Sequence, residues 1–81
     1  SENIKYPEAA EKAGEQGRVV VNFIVEKDGA VSNVKVVRSV TPTLDAEAVR
    51  VIKAMPKWVP GKQDGKFVRV KYNVPVSFKL Q

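Results

Sequence analysis

The clearest pattern of apolar and polar positions lies at the end of the chain. Residues 67–80 read F-V-R-V-K-Y-N-V-P-V-S-F-K-L, with Val68, Val70, Tyr72, Val74, Val76, Phe78 and Leu80 at every second position. Between them stand Arg69, Lys71, Asn73, Pro75, Ser77 and Lys79. A period of two over this length predicts a single strand with one dry and one wet face. Pro75 has no N–H, which predicts an edge strand, where no neighbouring carbonyl needs that donor. A long edge is a row of unpaired backbone groups and a place for another chain to add. Once Pro75 faces the open side, Arg69, Lys71, Asn73 and Ser77 also aim their backbone groups outward, and single side-chain changes at Lys71 or Asn73 are expected to be mild.

A second strand pattern covers residues 18–26. Val19, Val21, Phe23 and Val25 share one face, and Val20 and Ile24 keep the other partly apolar, which predicts a central strand. Asp28-Gly29 then signals a hairpin with positive φ at both turn positions. Residues 31–39 are the return strand, with Val34 and Val36 inward, Asn33 and Lys35 outward, and Val37 out of step, as at a bulge.

Two stretches read as helix. Tyr6 to Gly14 is short, with Pro7 at its first position and Gly14 closing it. Leu44, Ala48, Val51, Ile52 and Met55 form one stripe of an amphipathic helix with Thr43 as N-cap, and Pro56 stops it. Trp58 reads as a plug between helix and sheet, and Asp64-Gly65 as a second turn. The expected fold is a single α+β domain over residues 1–81. Its two layers are a three-stranded antiparallel sheet in the order 2-1-3 and two helices.

Composition narrows the chemistry. The 81 residues contain no Cys and no His, so disulfides, thiolate metal sites and the usual general base are absent. No apolar run approaches the roughly 20 residues of a membrane helix, and no secretory leader is visible. Ser32, Ser39 and Ser77 have no lysine at a spacing that singles out a catalytic pair, and no Gly-rich loop fits a phosphate or dinucleotide pattern. The expectation is a non-enzyme without cofactor or metal.

Charge separates the two halves. Residues 1–47 hold six Lys/Arg against eight Asp/Glu, and residues 48–81 hold eight against one. The basic half contains the edge strand, which fits an acidic partner segment or simply a solvated surface. Arg69, Lys71 and Lys79 are expected to speed capture of such a segment more than they hold it. A single-strand nucleic-acid binder needs aromatics on the same wet face, and there Phe67 stands alone, so nucleic acid is not the expected partner.

The ordered set of motifs resembles the C-terminal domain of the energy transducer TonB. It consists of Tyr6-Pro7 before a short helix, Gly17-x-Val19-x-Val21-x-Phe23-x-Val25, Asp28-Gly29-x-Val31-x-x-Val34, and Leu44-Asp45. Trp58-x-Pro60-Gly61-Lys62 and the terminal strand with Pro75 and Phe78 complete it. The valine-rich spelling looks like members from Bacteroides-type bacteria. Of the Gln-Pro-x-Tyr-Pro segment of better-known members, Tyr6-Pro7 remains, after Asn3-Ile4-Lys5. The resemblance implies a periplasmic domain, anchored to the inner membrane by a segment not in this chain and energised by ExbB–ExbD. Such a domain grips the TonB box of an outer-membrane receptor by adding a strand, in the uptake of siderophores, cobalamin or glycans. From the parity set by Pro75, the partner ladder is expected to centre on Arg69, Val70, Lys71, Tyr72 and Asn73 and to weaken at Pro75; the resemblance adds Tyr6 and Pro7 as further contacts. An open edge also invites homodimers. The rival reading is a similar domain of a sensor or structural membrane protein, which the sequence upstream would distinguish.

Overall fold

The computed structural model describes residues 4–80. In chain order the elements are α1 (Glu8–Lys12), β1 (Gly17–Val25), β2 (Val31–Arg38), α2 (Pro42–Ala54), β3 (Gly61–Gln63), β4 (Lys66–Val68) and β5 (Val70–Phe78). Strands β2, β1 and β5 form an antiparallel sheet in that order, and β3 pairs with β4 in a separate hairpin. The valine-rich strand is central, paired on both sides, with Val19, Val21, Phe23 and Val25 buried on one face and Val20 and Ile24 half-buried on the other; the last strand is an edge.

Helix α2 lies on one face of the sheet. Its stripe of Leu44, Ala48 and Ile52 is fully buried with Val19, Val21, Phe23 and Val25 of β1 and Val76 and Phe78 of β5. Past the helix stop the aromatic residues take over. The Trp58 ring sits 5.0 Å from Phe23 and 5.8 Å from Tyr72, closing the end of the core. At the other end, Tyr6 meets Phe78 edge-on at 5.7 Å and donates its hydroxyl to the Glu15 carbonyl.

Helix α1 starts one residue later than expected, and α2 is capped two residues earlier. The N-cap of α2 is Thr41 rather than Thr43; its Oγ1 accepts from the Leu44 N–H at 3.2 Å, and Pro42 opens the helix. Pro42 suits that place because its missing N–H would have no partner there. Pro7, by contrast, has extended backbone (φ −60°, ψ 133°) and caps α1 from outside.

The two Asp-Gly pairs make different turns. Asp64 and Gly65 both have positive φ (53° and 78°), as a two-residue hairpin between β3 and β4 requires. At the first pair only Gly29 is left-handed (φ 88°). There the Gly29 N–H bonds the Glu26 carbonyl at 2.9 Å and Asp28 Oδ1 accepts from the Ala30 N–H, giving a longer loop. Gly29 also carries the contact to the aromatic end: its carbonyl accepts from the Trp58 N–H at 2.9 Å.

The sheet's two edges differ. Along β2 the register with β1 shifts twice, between Val20 and Val21 and between Asn22 and Ile24. Val37 is one extra residue, as its broken alternation predicts, and Asn33 (φ 51°) marks the other irregularity. Along β5 nine consecutive pairs run from Gly17↔Phe78 to Val25↔Val70 without a shift.

The single strand expected over residues 67–80 is divided at Arg69. Strand β1 ends at Val25, so nothing in the sheet is left to pair with residues before Val70. Strand β3 pairs with Lys66–Val68 instead, and the chain bends at Arg69 between the two ladders.

Candidate functional site

The candidate site is the free edge of β5. Among the described residues no strand pairs with its far side. Its odd-numbered residues Lys71, Asn73, Pro75 and Ser77 are all exposed, while Val76 and Phe78 are buried. Pro75 is opposite Val20. With no N–H to exchange, Pro75 belongs to a pair whose backbone groups point away from β1. The unbroken register then carries the same direction to Lys71, Asn73 and Ser77. Val70, Tyr72, Val74 and Val76 turn their backbone groups inward, to β1.

The residues singled out from the sequence have several settings. Lys71 and Asn73 lie on the free edge. Val70 and Tyr72 are the inward members, and Tyr72 stacks 6.0 Å from Phe23 in the aromatic cluster. Arg69 sits in the gap between β4 and β5, and its guanidinium is committed within the fold. Its Nε lies 2.6 Å and one terminal nitrogen 3.2 Å from the two oxygens of Glu26. Tyr6 packs edge-on against Phe78 at the end of β5, and Pro7 caps α1.

Asn22 was not singled out from the sequence, yet it supports the edge. It is 8 % exposed on the central strand, and its Nδ2 donates to Asn73 Oδ1 at 2.7 Å and to the Tyr72 carbonyl at 3.3 Å. A lone Asn among valines was the available signal, but only the register Asn22↔Asn73 gives it a partner. Asn73 therefore has an inner attachment as well as an outward backbone.

Glu26 is the second supporting residue. The Arg69 hydrogen bonds, and then the Ser32 hydroxyl, hold its carboxyl below the usual carboxylate range. A carboxylate with a lowered pKa in the folded state adds stability above the unfolded-state value of about 4.3, and that stability is lost as pH falls through the folded value. Glu26→Gln is accordingly expected to narrow the gap between urea midpoints at pH 7 and pH 3. A gap as wide as in the unsubstituted protein would show that the Arg69 clamp adds nothing to stability.

Asp45, Glu15 and Glu47 have structural partners as well. Asp45 Oδ1 accepts from the Val40 N–H at 3.0 Å, Glu15 from Thr41 Oγ1 at 2.9 Å, and Glu47 from Arg50 and the Lys5 N–H. Among the described residues no group of three His, Cys, Asp or Glu converges as a metal site would need, and no helix is long and apolar enough to cross a membrane. Phe67, the wet-face aromatic, has the Lys62 ammonium 4.8 Å over its ring, which occupies one stacking surface.

Known proteins bear on the fold and the family. Residues 2–80 match the family described as Gram-negative bacterial TonB protein C-terminal. The chain is similar to Protein TonB from two strains of Helicobacter pylori, 31 % identical over 78 residues. That match covers 95 % of this chain and 26 % of those proteins, so the chain spans about a quarter of their length. Two solution structures of the H. pylori TonB C-terminal domain resemble it throughout. One superposes with a TM-score of 0.76 at 27 % identity, covering 99 % of this chain and 72 % of that one. The other gives 0.71 at 28 % identity, covering 96 % and 82 %. With its two helices, its β2-β1-β5 antiparallel sheet and a family match over nearly every residue, the chain belongs to the TonB C-terminal domain family.

Proposed function

We propose that this domain captures a short extended segment of an outer-membrane receptor, the TonB box, by strand addition to β5. It acts as the periplasmic end of a TonB-type transducer. Inner-membrane proton-motive force reaches it through ExbB–ExbD and a membrane anchor outside this chain, and the captured receptor is opened for substrate uptake. Family membership and the H. pylori relatives support the transducer class. The observation that carries the site is the asymmetry of the sheet. The β2 edge is bulged twice, whereas β5 offers an unshifted edge with Lys71, Asn73 and Ser77 turned outward. Bulges obstruct pairing and a regular edge permits it.

Because Arg69 lies outside β5 and is held by Glu26, the incoming ladder extends over residues 71–77 rather than centring on Arg69–Asn73. Each backbone bond nets about 0.5–1.5 kcal/mol. Five or six such bonds with side-chain contacts suit micromolar binding, about −8 kcal/mol, which permits both grip and release.

Hydrogen exchange followed by NMR, with and without a receptor TonB-box peptide, tests this. Slowed exchange is expected at the amides of Lys71, Asn73 and Ser77, alternating with unchanged Tyr72, Val74 and Val76. Association should slow as salt rises, because Lys71 and Lys79 act at long range. Protection on β2, or none on β5, would reject the site.

A further inference from the structure

Beside the free edge, the described residues leave a space between helix and sheet unfilled. A cleft of about 230 Å³ is lined by Val51, Ile52 and Met55 of α2, Ile4 ahead of α1, and residues 74–77 of β5. The last four also form the free edge, so the cleft opens where an added strand would lie. Resting on the strand addition proposed above, we infer that this cleft is a side-chain pocket. It takes one large apolar residue of the incoming strand, opposite Val74 or Val76, and so fixes that strand's register.

The geometry follows from the pleat. Partner residues directly opposite Lys71, Asn73 and Ser77 send their side chains to the outer face, away from α2, whichever way the partner strand runs. Partner residues between them, opposite Val74 and Val76, send theirs to the α2 side. There they meet Val51, Met55 and Ile4. The volume is several times the ~30 Å³ share of one water, enough for one Leu, Ile or Phe side chain. Main-chain bonds hold a strand without reading its sequence, and pockets for alternate side chains supply the selectivity.

Charge fixes the second feature of the occupant. Arg18, paired with Ser77, and Lys79 lie at the Ser77 end of the edge, with Arg38 of β2 on the far side of β1. The occupant is therefore a short extended peptide with an apolar anchor over Val74 or Val76 and an acidic flank toward Ser77.

The test uses a nine-residue synthetic peptide of alternating Thr and Val with an Asp at each end. Its inward Val residues are replaced one at a time by Ala, Leu, Phe or Asp. At one position Leu or Phe is expected to bind about 10-fold tighter than Ala and about 100-fold tighter than Asp, with methyl shifts at Ile4, Val51 and Met55. Met55→Lys should abolish that preference while a saturating peptide still protects the Lys71 and Asn73 amides. If Met55→Lys does not fold, Ile4→Lys decides, since Ile4 lies outside every helix and strand. Equal affinity for all replacements, or a preference that survives both variants, overturns the pocket and leaves strand addition standing. Cleft methyls that shift on removal of residues 1–3 as much as on peptide binding also overturn it, because the occupant is then this chain's own start. No protection of β5 amides by any peptide overturns the strand addition itself.

Discussion

Lys71→Pro should leave the domain folded and weaken strand capture by about tenfold or more. The Lys71 N–H faces away from β1 by the parity that Pro75 sets, so the sheet does not lose a bond. An incoming strand loses one donor and meets a proline ring in its place. The missing bond nets about 0.5–1.5 kcal/mol and the partner carbonyl left unpaired adds to it, against about 1.4 kcal/mol for each factor of ten. Val74→Pro is the internal control. Val74 turns inward to Val21, so a proline there removes a bond of the fold and should lower the melting temperature sharply. Calorimetry of both variants and titration with a receptor peptide check the pair. If Lys71→Pro binds like the unsubstituted protein, the β5 edge is not where the partner adds. Asn73→Pro is a poorer probe than the outward direction of its backbone suggests, because it also removes the acceptor of the buried Asn22 amide.

Gly29→Ala should be among the most destabilising single-methyl changes in the chain. Two effects combine at this position. Gly29 has φ 88°, where an L side chain is strained by about 1–3 kcal/mol. A Cβ there would stand 2.3 Å from the Trp58 carbonyl oxygen, a backbone atom that cannot swing aside. Relieving that clash displaces Trp58 from Phe23 and Tyr72, and overpacking of this kind adds about 1–3 kcal/mol. The expected loss is thus about 2–6 kcal/mol, much of the stability of a domain this size. Gly14→Ala isolates the first effect: its φ is 70°, and nothing lies within 4 Å of the added methyl. Urea titrations of the two variants should differ by at least about 1 kcal/mol. Equal midpoints would mean that the hairpin loop and Trp58 are not held together.

The sequence made the framework visible because the framework is periodic. The alternation in residues 67–80, the valine-rich Gly17–Val25 and the i, i+4, i+7, i+8 stripe of α2 each depend on local spacing alone. What escaped it depends on partners distant in the chain. The break at Arg69 follows from β1 ending at Val25, some forty residues earlier, and no local feature of residues 67–80 records it. The role of Asn22 appears only in the register with Asn73, and the commitment of Arg69 only in its approach to Glu26. The Asp-Gly pairs show the same limit. The rule for two-residue hairpins is obeyed at Asp64-Gly65, while at Asp28-Gly29 the contact with Trp58 accompanies a longer loop.

The unequal edges also limit how many molecules can join one sheet. Growth of a β-assembly needs two competent edges, one to receive and one to offer. Here the twice-bulged β2 closes one direction, and only β5 remains. A peptide on β5 makes a fourth strand, and further growth then depends on the peptide's own outer edge. A second copy on β5 uses both regular edges, forms a closed two-fold pair and leaves only bulged strands outside. An aggregation-prone feature, a long unprotected strand, is thus confined to a single binding event, and propagation into fibres is blocked from the opposite side of the sheet.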